Sequence, residues 1–279
     1  MESTGPNPIH CRLRVGVDIL RVIRRMLKEW SGVCCKQQRK PNVIQVTDLH
    51  FAYPASGFRL HIDRFTIGQG EQVALIGPSG SGKSTLLHLL AGILVPDRGS
   101  IVIDGTELTA LSETARREFR ISRIGLVFQA FELLDYLTVL DNLLLPFRIN
   151  KAVARPRDAV ARASQLADEL EIADKLKRFP GQLSQGEKQR VAIGRALITE
   201  PALLFADEPT GNLDPATKKH VLHFMLNIAS ERGVTVLMVT HDHGLLDRFG
   251  RVCEISDFYG KTAESTPTGE MLSESTGRP

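Results

Sequence analysis

No run of about 18 apolar residues, the least that spans a bilayer as a helix, occurs in this 279-residue sequence. A role at a membrane therefore calls for a partner. Cysteine is sparse: Cys11, Cys34, Cys35 and Cys253 show neither metal-ligand spacing nor a disulfide framework, which fits a reducing cytoplasm. The adjacent Cys34 and Cys35 leave two readings open, lipidation beside a membrane or free thiols in a flexible segment. No internal repeat is visible. The main body also lacks basic excess. Residues 1–40 hold nine Lys/Arg against three Asp/Glu, and the net charge of +3 then leaves −3 for the rest. That balance argues against nucleic acid as a partner. The basic segment lacks the continuous apolar stretch and small-residue cleavage site of a secretory signal.

What is present is ordinary for a globular protein: 42% hydrophobic and 24% charged residues, in a length that suits one or two domains. Within the basic segment, Ile19, Leu20, Ile23, Met26, Leu27 and Trp30 share one helical face. Arg21, Arg24, Arg25 and Lys28 occupy the other. Such a helix suits an anionic membrane surface, a docking partner, or an extension arising from an early start codon. Residues 1–42 are thus expected to be a basic extension that ends in a linker.

The most informative stretch is Gly77, Pro78, Ser79, Gly80, Ser81, Gly82, Lys83, Ser84, Thr85. It carries the spacing of a phosphate-binding loop, with an apolar run at residues 72–76 before it and helical residues 86–91 after it. Glycines permit positive φ and close backbone approach, so successive N–H groups form an anion site at a helix start. Lys83 has the reach for outer phosphates, and the Ser84 hydroxyl suits Mg²⁺.

Upstream, residues 43–53 and 58–67 read as an antiparallel strand pair around a Pro54–Gly57 turn. Downstream, short strands are expected at 100–103, 124–128, 202–206, 234–239 and 252–255, with helices at 157–176, 183–198 and 218–232. Strands alternating with helices make a mostly parallel sheet. Residues 130–150 show no clear periodicity, and residues 259–279 read as a polar, disordered tail. Gln129, Asp207 and His241 each fall at the end of a strand, the edge where open α/β sheets bind ligands. Asp207 there suits Mg²⁺, and Glu208 beside it is free to activate water. Alone, Gln129 would be a surface amide and His241 a structural histidine.

Taken in order, these features resemble the nucleotide-binding subunit of ABC transporters. The resemblance rests on Tyr53, the loop at 77–85, Gln129, and Leu183-Ser184-Gln185-Gly186-Glu187. It continues through the run 203–208, Gly211-Asn212-Leu213-Asp214 and His241, and covers roughly residues 43–256. It implies an α/β P-loop NTPase fold of RecA-like type: a mostly parallel sheet, an antiparallel β subdomain and an α-helical subdomain near residues 130–195, within an ATP-binding domain spanning 43–258.

By the same resemblance Tyr53 stacks on adenine and Lys83 binds the outer phosphates. Ser84, Asp207 and Gln129 serve Mg²⁺, Glu208 is the base, and His241 contacts the γ-phosphate. Ser184 and Gly186 cap the ATP of a second copy of the chain, and Asp214 couples the two sites of that dimer. The family's commonest signature is Leu-Ser-Gly-Gly-Gln; Gln185 and Glu187 depart from it, while Ser184 and Gly186 are kept.

The stretch from Phe128 to Asn142 looks like the branch of lipoprotein-releasing, macrolide-efflux and heterocyst-exporter ATPases. That implies a separate integral membrane permease which selects the substrate. It also implies a peripheral position on the cytoplasmic face of the inner membrane. The same branch holds a cell-division member that regulates a membrane partner without transport.

Overall fold

Short apolar segments form one parallel sheet whose inner strands are covered on both faces, while the edge strand at Arg251–Glu254 leaves Val252 exposed. A computed structural model describes residues 41–54, 57–149 and 153–259. The amphipathic helix expected before residue 41 and the tail expected beyond 259 lie outside them. The central strands are β3 (Gln72–Ile76), β6 (Ile124–Phe128), β7 (Leu203–Asp207), β8 (Thr235–Val239) and β9 (Arg251–Glu254), in the order β6-β7-β8-β3-β9. All four neighbouring pairs are parallel. Their C-terminal ends therefore share one edge.

Alternate residues of β7 serve two cores. Leu203 and Phe205 point into one and Leu204 and Ala206 into the other, all at 0% exposure. Burying each large side chain is worth about 1.5–3 kcal/mol. Burial on both sides is why these strands read as unbroken apolar runs.

One core is shared with α1 (Lys83–Leu90) and an antiparallel sheet of order β2-β1-β4-β5. That sheet is built from β1 (Asn42–Ala52), β2 (Arg59–Gly68), β4 (Arg98–Ile103) and β5 (Thr106–Glu107). The other core is closed by α5 (Ala159–Glu169), α6 (Gln185–Leu197) and α7 (Pro215–Glu231).

Three segments differ from the expectations. A helix, α2 (Glu113–Arg123), forms where none was expected; it is amphipathic, packs Phe119 against a core, buries no residue fully and is capped by Ser112. The helix expected at 157–176 stops at Glu169, and a 3-10 turn at Ala173–Lys175 follows. Residues 130–150 contain short helices α3 (Val139–Leu143) and α4 (Pro146–Ile149) after a loop held from elsewhere. Buried Asn142 accepts from the Leu134 N–H and donates to the Leu134, Leu137 and Thr138 carbonyls. Arg195 of α6 donates to the carbonyls of Phe131 and Glu132, both in left-handed conformation.

Candidate active site

The glycine-rich loop leaves the end of β3 and turns directly into α1. Gly82 sits ahead of that helix at φ 90°, and a Cβ there would lie 2.8 Å from the Phe58 ring. Only glycine meets both conditions without strain. Lys83 is buried, and its Nζ donates to the carbonyls of Gly77 at 2.9 Å and Pro78 at 2.7 Å. The ammonium is thus held along its own loop. Tyr259 donates its hydroxyl to the Ser81 carbonyl, and Ile255 packs where a Cβ on Gly77 would fall.

Across the edge, Ser84 Oγ donates to Asp207 Oδ1 at 3.0 Å. Burial pushes the Asp207 carboxyl above its ordinary range, and the Ser84 hydroxyl opposes that rise. Glu208 breaks the strand with φ 46°, a left-handed conformation uncommon for a side-chain-bearing residue. Its N–H still donates to the Val239 carbonyl at 3.0 Å, while its carbonyl accepts from the Gly211 N–H. This kink aims the carboxylate at the loop after β8, where Glu208 Oε1 meets His241 Nδ1 at 2.9 Å. Strained backbone of this kind clusters at functional sites.

A cavity of about 640 Å³ collects these parts, lined among others by Tyr53, Phe58, Lys83, Ser84, Glu208 and His241. Tyr53 stands edge-on to Phe51 at 4.8 Å between ring centres. Phe58, absent from the sequence-level candidates, completes the aromatic wall. Its only local signal was its place next to a turn glycine.

Gly77, Pro78, Ser81 and Asp207 neighbour the lining residues without lining the cavity themselves, and two further groups of candidates lie outside it. Gln129 forms a reciprocal amide pair with Asn212: its Nε2 donates to Asn212 Oδ1 at 3.2 Å, and Asn212 Nδ2 donates back to its carbonyl at 3.1 Å. No residue of 183–187 lines the cavity, nor does Asp214. Ser184 caps α6, accepting from the Glu187 N–H at 3.2 Å, while Glu187 accepts from the Ser184 N–H at 2.7 Å. This reciprocal capping box explains a glutamate at that position. Burial alone would raise the Glu187 carboxyl; the Ser184 N–H, the Ser184 hydroxyl and Lys175 hold it below its ordinary range instead. Gly186 gives room to the Thr217 methyl, which would lie 2.6 Å from an added Cβ. Asp214 caps α7 by accepting from the Ala216 and Thr217 N–H groups, each at 3.1 Å.

One prediction follows from the capping box. Glu187→Ala should cost about 1 kcal/mol of stability, and Glu187→Gln, which keeps the returning acceptor, much less. Thermal denaturation of the two variants checks this; equal losses would rule out the box as the reason for Glu187.

Comparison with known proteins agrees with the geometry. The ABC transporter family model matches residues 60–211. The chain is 40% identical to the lipoprotein-releasing system ATP-binding protein LolD of Geobacter metallireducens, over 77% of this chain and 96% of that one. It is 41% identical to an uncharacterized ABC transporter ATP-binding protein of Mycobacterium tuberculosis, over 78% and 88%. Among solved structures it is similar to the dimeric cassette MJ0796, at 32% identity and TM-score 0.66, covering 76% of this chain and 93% of that one. A post-hydrolysis dimer of MJ0796 with ADP and phosphate matches equally well, at 31% identity and TM-score 0.66, with the same coverage.

Proposed function

Because the chain belongs to the ABC transporter ATP-binding family, we propose that it hydrolyses ATP within a dimer to drive a membrane permease in export or extraction. The observation that carries this is the convergence of the phosphate loop, the Ser84–Asp207 pair and the Glu208–His241 pair on one sheet edge.

Tyr53 and Phe58 offer aromatic faces for the adenine, and the loop N–H groups with Lys83 receive the phosphates. Ser84 and Asp207, two hard oxygen donors 3.0 Å apart, fit Mg²⁺, which takes one or two protein oxygens and keeps several waters. When bound, that ion neutralises charge on the β- and γ-phosphate oxygens. Glu208 accepts a proton from the attacking water as its oxygen bonds to the γ-phosphorus. The bond from that phosphorus to the β–γ bridging oxygen breaks, and ADP and inorganic phosphate leave. His241, 2.9 Å from Glu208, orients the carboxylate and reaches the γ-phosphate. Gln129 positions the same water and the metal.

Residues 183–187 lie off this cavity yet present a helix start, a natural partner for phosphate in a second copy. Leu183, Ser184, Gln185, Gly186 and Glu187 thereby complete the site of the opposite subunit, and Asp214 couples the two. Ser184→Arg is expected to lower turnover by at least about tenfold while ATP binding to the isolated monomer stays unchanged. A tenfold loss corresponds to about 1.4 kcal/mol of barrier. The cap-preserving Ser184→Asn serves as the stability control. Full turnover in Ser184→Arg would eliminate the trans role.

For the membrane partner, the loop at 131–138, held by Arg195 and Asn142, presents Tyr136 at 75% exposure. We assign this surface to a permease of the lipoprotein-releasing or macrolide-export type. Among the described residues no helix is long and apolar enough to cross a membrane. The subunit accordingly sits peripherally, on the cytoplasmic face of the inner membrane. Affinity purification of the chain from its own cells should recover that permease and its substrate. Recovery of a wall-hydrolase regulator instead would assign the chain to the cell-division type.

A further inference from the structure

On the antiparallel sheet, away from the nucleotide cavity, three potential metal ligands meet, with Asp63 beside one of them. His50 of β1 and His61 of β2 are cross-strand partners, and their rings stack with centres 3.9 Å apart. Asp48 Oδ1 lies 3.0 Å from His50 Nε2 and 3.4 Å from His61 Nε2. Asp63 Oδ1 lies 3.2 Å from His61 Nε2. The donor atoms of Asp48, His50 and His61 all fall within 4.8 Å of one another.

The backbone is arranged to bring them there. β1 shifts register against β4 between Thr47 and His50, and Asp48 stands in that irregularity at φ 48°. Two successive residues, Thr47 and Asp48, consequently face solvent before Leu49 returns to the core. Bulges re-aim side chains in this way. Gly99 of the neighbouring strand fits against it: an added Cβ would sit 2.2 Å from the Asp48 carbonyl. The left-handed aspartate is thus braced by backbone.

The distances match a known coordination shape. Four ligands at about 2.0–2.1 Å around a tetrahedral ion stand about 3.3 Å from each other, since a tetrahedron's edge is about 1.63 times its radius. The two distances from Asp48 to the imidazoles, 3.0 and 3.4 Å, bracket that edge. Neutral imidazole is the form that binds metal. Two carboxylates would balance a divalent charge. We propose that Asp48, His50 and His61 hold a divalent transition ion of the Zn²⁺ class, with Asp63 beside His61 on the same face. The ion joins β1 to β2 three residues before Tyr53.

Cobalt(II) titration of the full chain without nucleotide tests this, because four-coordinate N/O sites give a visible absorption much stronger than six-coordinate ones. The expected result is a saturable band at one equivalent that Zn²⁺ displaces. His50→Ala and His61→Ala should each weaken binding by at least about tenfold, as ligand loss exceeds the cost of an outer contact. The side chains are partly exposed, His50 at 33% and His61 at 18%, and circular dichroism checks that the variants fold. Asp207→Asn, which disables the proposed magnesium position, should leave the band intact. Added Zn²⁺ should also raise Tm in the parent chain and not in His61→Ala. Absence of a saturable band overturns the proposal, as does a band unchanged in His61→Ala or lost in Asp207→Asn. Any of these would leave the cluster as hydrogen bonds alone.

Discussion

Glu208→Gln is expected to cut ATP turnover by at least about a hundredfold, the lower range for losing a general base. The substitution keeps size, backbone and the kink at φ 46°, but an amide does not accept the water's proton. ATP binding should persist, since Glu208 is not the residue that meets the phosphates. With hydrolysis blocked and binding intact, ATP-bound dimers should accumulate on size-exclusion chromatography. Steady-state phosphate release measures the first effect. Turnover within threefold of the parent would remove Glu208 from the role of base.

The second large effect concerns packing. Gly125 is the second residue of β6, and a Cβ there would stand 2.4 Å from the Ala196 carbonyl of α6. That contact is backbone, so no rotamer change relieves it. Gly125→Ala should therefore cost about 3 kcal/mol, the upper end for overpacking. In a domain of this size that lowers Tm by roughly 6–12 °C. Gly181→Ala, with nothing within 4 Å of the added carbon, is the matched control. Calorimetry on both decides the matter: a loss below about 1 kcal/mol in Gly125→Ala would mean that α6 shifts freely on the sheet. Because the Ser184 cap opens α6, the same change should also depress turnover.

The parallel strands were legible because burial on both faces leaves continuous apolar runs such as residues 203–206. The candidate site residues could be picked out because phosphate, metal and water each demand a residue type at a fixed strand end. Other features depend on contacts distant in sequence, and local pattern carries no trace of them. α2 is strongly charged, buries no residue fully and sets only Phe119 against a core. The 131–138 loop takes its shape from Arg195, about sixty residues onward, and from Asn142 inside the core. Phe58 and Tyr259 reach the phosphate loop from either side of it in the chain, without periodicity to mark them. Gly186 had a readable reason, close approach to phosphate; its contact with Thr217 needed coordinates.

The amide pair between Gln129 and Asn212 has a mechanical meaning. Asn212 lies two residues before Asp214, whose carboxylate fixes the head of α7 through two backbone N–H groups. Thr217, in that same first turn, is the residue against which Gly186 seats. A displacement of Gln129 at the end of β6 is therefore carried to a 17-residue helix, a rod of roughly 25 Å. The signature turn rides on the same end of that rod. In the proposed dimer, the group assigned to read one nucleotide and the turn assigned to the neighbour's nucleotide would thus share a single bearing, the head of α7.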